Sequence, residues 1–123
     1  MRLTFLFTLT LVIACASGPP VVTVRRSGGL DGAWAVGENA ETRLDVSGDV
    51  ARLHFAGKEF EFLGIKDLKG ALSPVQVELM ADRFHVFATL ETLSIRAGGS
   101  VTEVSMDKLP PRVQYADGVL SAE

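Results

Sequence analysis

The chain has 123 residues, 47% hydrophobic and 22% charged, with 12 Lys or Arg against 15 Asp or Glu for a net charge of −3. This length suits one small domain, and the mild acidity argues against nucleic acid, which calls for a clustered basic surface. A single cysteine, Cys15, excludes an internal disulfide framework, so apolar burial has to hold the fold.

In chain order, Arg2 and the amino terminus form a short positive region, Leu3 to Ala14 an apolar run, and small residues follow at Ala14, Ala16, Ser17 and Gly18. That order predicts a signal peptide over residues 1–14. The run is about a dozen residues, short of the ~20 that a spanning helix needs, and Gly18-Pro19-Pro20 would stop a helix soon after. Ala14-Cys15-Ala16 also satisfies the small-x-small rule of ordinary signal cleavage, which would give plain secretion.

Val12-Ile13-Ala14-Cys15 resembles the lipobox of bacterial lipoproteins. The resemblance covers residues 1–15 only. It implies that Cys15 is the lipidated first residue of an exported protein held in the bacterial cell envelope, at the outer membrane or periplasmic face in a Gram-negative cell. A lone thiol in an exported chain has no internal partner, which is the physical reason to favour its modification. Processing before Cys15 would leave 109 residues with a charge of −4, because Arg2 is removed and no acid is lost.

Residues 15–29 combine Pro and Gly at both ends with a Val-rich middle and the Arg25-Arg26 doublet. The Val-rich middle could form an edge strand and the arginines could sit near anionic headgroups, but the stretch is short and isolated. The preferred reading is a flexible tether with solvated arginines and a single β domain over residues 30–123. Within that domain the pattern has period two. A loop at Gly48-Asp49 sets Leu44 against Leu53 and Asp45 against Arg52. A loop at Gly57-Lys58 sets Phe55 against Phe60, Leu53 against Phe62 and His54 against Glu61. A third at Ala81-Asp82 sets Leu79 against Phe84 and Val77 against Val86, with Glu78 and His85 outside.

Further turns are expected at Leu90-Glu91, where good turn residues are lacking, at Gly98-Gly99, and at Asp117-Gly118. Pro110-Pro111 should end the strand over Val101 to Met106. Ser73-Pro74-Val75-Gln76 also reads as a helix start, but Val75 to Leu79 alternates, and strand is preferred. The fold class is therefore all-β, a small antiparallel barrel or sandwich of about seven to nine short strands in meander order. Gly32-Ala33-Trp34 resembles the Gly-x-Trp opening of lipocalin-type barrels, which implies a barrel closed at one end by Trp34.

Few residues of the sequence point to chemistry. His54 and His85 fall on separate hairpins, each facing a glutamate, so no metal centre is expected. No serine lies in a nucleophile motif. Glu59 and Glu61 lie side by side on a charged strand face rather than across a cleft. No cofactor motif is present, and the expectation is a non-enzymatic protein. Its specific form is a binding role in which Leu53, Phe55, Phe60, Phe62, Phe84 and Val86 line an interior for an apolar ligand such as a lipid or acyl chain. The alternative is an envelope interaction module with a filled core, offering an edge strand or an outward patch at Leu63 and Phe87 to another envelope protein.

Overall fold

The computed structural model describes residues 20–28 and 30–122. Residues 1–14, the expected signal peptide, and Cys15 lie outside the described residues. Twelve strands follow in chain order among them: β1 (Val22–Arg26), β2 (Gly32–Val36), β3 (Thr42–Ser47), β4 (Val50–Phe55), β5 (Lys58–Leu63) and β6 (Leu68–Leu72). Then come β7 (Gln76–Ala81), β8 (His85–Thr89), β9 (Thr92–Ala97), β10 (Ser100–Ser105), β11 (Arg112–Ala116) and β12 (Val119–Ala122).

They make two six-stranded sheets. Sheet I has the order β1-β6-β7-β8-β9-β10, and sheet II the order β12-β11-β5-β4-β3-β2. The sheets stack as a sandwich with no closed barrel, so the barrel implied by Gly-x-Trp is not the architecture. Simple meander order is also corrected, because the chain changes sheet three times and β11 pairs parallel with β5. More strands form than the seven to nine expected, since β1 falls in the predicted tether and β6 in a stretch that the alternation left unassigned.

The first strand is the largest departure. Val22 to Arg26 pair in full with Leu72 to Leu68, so ordered structure begins before the expected boundary at Leu30. The cause lies in the alternation of β1: Val24 is buried in the core, and Arg26 is buried too, at 4% exposure. Its guanidinium donates from Nε to the Leu30 carbonyl at 2.6 Å, from Nη1 to the Lys66 carbonyl at 2.7 Å, and from Nη2 to the Gly48 carbonyl. Arg26 is thus a clamp joining β1 to three connections, while Arg25 alone remains exposed.

The 48–49, 90–91, 98–99 and 117–118 turns stand where turn chemistry places them. Thr89 supplies what Leu90-Glu91 lacks, its hydroxyl accepting the N–H groups of Glu91 at 3.2 Å and Thr92 at 3.1 Å. Ser73 caps a turn rather than a helix. Its hydroxyl accepts from Val75 and Gln76, and β7 follows as a strand. The Ser73 carbonyl accepts the buried Thr42 hydroxyl at 2.9 Å, joining the sheets at that end.

Two hairpins shift by two residues. The β4–β5 turn is Ala56-Gly57, with both residues at positive φ as a primed turn requires. Leu53 therefore faces Phe60, Phe55 faces Lys58, and His54 faces Glu59. Likewise Leu79 faces Val86, and Val77 faces Ala88. A shift of two keeps every side chain on its face. Beyond β10, a short 3₁₀ turn at Met106–Lys108 buries Met106 and leads to Pro110-Pro111, where the Pro111 carbonyl accepts the Glu59 N–H at 2.8 Å. That bond starts the parallel pairing of β11.

Candidate functional site

The six residues predicted to line a ligand cavity all lie between the sheets. Leu53, Phe55, Phe60, Phe62 and Val86 are 0–2% exposed and Phe84 is 8% exposed. They belong to one continuous apolar cluster with Val24, Ile65, Leu79, Leu93, Ile95 and Tyr115. Phe62 is its aromatic centre, with ring centroids 6.4 Å from Phe60, 5.8 Å from Phe84 and 6.3 Å from Tyr115. The residues are brought together as expected, but they pack on one another as a core does. Tyr115 was missed as a member of this cluster, although its place in the alternation of β11 is the signal that marks it inward.

A cavity borders Phe84 and Tyr115 of the core. At the end of the sandwich, Leu63, Arg83, Phe84, Ala97, Tyr115 and Asp117 enclose about 210 Å³, with Phe84 and Tyr115 edge to face at 5.2 Å. Its volume falls below the ~300 Å³ usual for small-molecule sites. Leu63 and Phe87 do not share a patch. Leu63 belongs to sheet II and borders this cavity, whereas Phe87 stands on the outer face of sheet I opposite Glu78 and Ser94.

The outer face of sheet II is laced with polar pairs. Arg52 binds Glu61 at 2.9 Å, Gln114 donates to Glu61 at 3.1 Å, and His54 Nδ1 lies 3.3 Å from Glu59. Glu59 and Glu61 share that face as expected, and both have partners there. On sheet I, His85 Nε2 lies 2.8 Å from Glu78. Because His54 and His85 stand on the outer faces of opposite sheets, the core separates them and they cannot share a metal ion.

The larger hollows open on sheet I. One of about 530 Å³ is bordered by Arg25, Arg26, Asp67, Lys69, Met80 and Asp82. Another of about 300 Å³ is bordered by Val21, Ala71, Val75, Gln76 and Glu78. Neither is legible in the sequence, because residues 15–29 read as tether and the neighbours that β1 gives to Lys69 and Ala71 exist only once it pairs with β6. No helix among the described residues is long and apolar enough to cross a membrane. Comparison with protein-family models, with curated proteins and with solved structures gave no match.

Proposed function

We propose that this chain is a lipid-anchored, non-enzymatic protein of the bacterial cell envelope that acts through its outer surfaces, as an interaction module with a filled core. The observation that carries this choice over an interior lipid site is the packing of Leu53, Phe55, Phe60, Phe62, Phe84 and Val86 at 0–8% exposure. An acyl chain could enter only by displacing side chains already in contact, and such overpacking costs roughly 1–3 kcal/mol or more. The export and anchoring part of the proposal is supported by the lipobox resemblance at Val12-Ile13-Ala14-Cys15.

Organic extraction of the purified full chain followed by mass spectrometry tests the choice. The expected result is no stoichiometric lipid beyond that attached to Cys15. A stoichiometric, noncovalently held lipid would overturn the filled-core reading and restore the interior ligand site. Crosslinking in the intact envelope should give an adduct with a second protein, and recovery of the lone chain alone would count against an interaction module.

A further inference from the structure

We propose that the outer face of sheet I lies on the bilayer that holds the acylated Cys15, with Val21, Val75 and Phe87 in the interface and Arg25, Lys69 and Arg96 among anionic headgroups. This rests on the reading of Cys15 as the anchor. The occupant follows first from chain length. Six residue steps separate Cys15 from Val21, a reach of at most ~21 Å. The sandwich therefore hangs close to the membrane by β1, an edge strand of sheet I.

Exposed apolar groups collect where that connection arrives. Val22 packs against the core and Val24 is buried within it, so Val21 points to the outer face, 63% exposed. Val75, 43% exposed, borders the same hollow of about 300 Å³. Phe87, 38% exposed, projects from the same face. Val21 and Val75 thus form an apolar edge beside the anchor, and Phe87, three strands in from β1, adds an apolar contact on the same face.

Further along β1 the face becomes cationic. Strand pairing sets Arg25, Lys69, Met80, His85 and Arg96 side by side on five adjacent strands. At a strand spacing of ~4.8 Å this row is about 20 Å long. Arg25 stands directly opposite Lys69, an arrangement of like charges that is unfavourable without an anion nearby. Among the described residues no ion pair engages Arg25, Lys69 or Arg96, in contrast to Arg52 on sheet II. The row itself contains no acid. Glu78, held by His85, and Glu103 lie in the next row, and Asp67 and Asp82 sit at the rim of the larger hollow. A cationic stripe on a chain of net negative charge is the complement of an anionic lipid surface.

The test uses the lipidated full chain carrying Val75→Cys, reconstituted in phosphatidylcholine vesicles with or without phosphatidylglycerol. Reaction of the introduced thiol with a membrane-impermeant maleimide is timed, and Ser121→Cys, on the outer face of sheet II, is the reference. Phosphatidylglycerol should slow the reaction at position 75 about tenfold and leave position 121 unchanged. Adding Arg25→Glu and Lys69→Glu should restore the fast rate, since each cation contributes roughly fivefold to partitioning. Vesicles that float with the protein but give no slowing at position 75 overturn the docking alone. A chain that fails to float, with an unmodified Cys15 thiol by mass, overturns the anchor and the docking with it.

Discussion

Replacing Arg26 by alanine is the sharpest test of how β1 is held. The side chain donates three hydrogen bonds to main-chain carbonyls of Leu30, Gly48 and Lys66, and it does so from a buried position. A hydrogen bond with a charged partner contributes about 1.5–3 kcal/mol net. The three acceptors sit in loops and can regain water, so the lower end of that range applies to each, and truncation should cost about 4 kcal/mol. In a domain of this size 1 kcal/mol moves the thermal midpoint by roughly 4–8 °C, so the loss should exceed about 15 °C. Urea and thermal unfolding of the full chain would measure it. Hydrogen exchange should show the loss concentrated in β1 and β6 before the rest of sheet I. Arg26→Lys, which keeps the charge but cannot fork to three carbonyls, should fall between the two. If Arg26→Ala unfolds within about 0.5 kcal/mol of the parent, the clamp is not what fixes β1 and the reasoning fails.

A Cβ on Gly70 would run into the Glu78 carbonyl oxygen, so Gly70→Ala should lower the urea midpoint by the equivalent of about 2–3 kcal/mol, and an unchanged midpoint would contradict the close approach of β6 to β7. Ala56 holds φ at 53° beside Gly57, and Ala56→Asn should raise stability by about 0.5–1 kcal/mol in the same assay by suiting the primed turn. Phe62→Ala removes the ring that Phe60, Phe84 and Tyr115 share and should cost about 3–5 kcal/mol, with loss of near-ultraviolet circular dichroism. Cys15→Ser should move the protein out of the membrane fraction while leaving its thermal midpoint unchanged, and membrane retention after normal signal cleavage would refute the anchor.

The parts of the candidate surfaces that were legible in the sequence are those written in local chemistry. The lipobox resemblance is a run of four residues, and the outward places of Glu59, Glu61, Glu78 and His85 follow from alternation alone. What escaped depends on which strands become neighbours. Nothing in Val21-Val22-Thr23-Val24-Arg25-Arg26 distinguishes a tether from an edge strand, because its pairing partner, Leu68 to Leu72, lies more than forty residues away. The like-charge pair of Arg25 with Lys69 exists only in that pairing. Arg26 was hidden for the same reason, since its three acceptors belong to three separate connections.

The register shows why correct faces can coexist with wrong partners. Placing the β4–β5 turn at Gly57-Lys58 satisfies every apolar position, and so does the observed turn at Ala56-Gly57, since the two pairings differ by two residues. Apolar alternation distinguishes odd slips from even ones and nothing more. The choice between even registers falls to weaker terms, such as a positive φ at Ala56 costing about 1 kcal/mol against the cross-strand bond of Arg52 with Glu61 at 2.9 Å. In the observed register Arg52 faces Glu61 and His54 faces Glu59, whereas the shifted one leaves Arg52 opposite Leu63. The polar outer face of sheet II thus discriminates between registers that the core cannot.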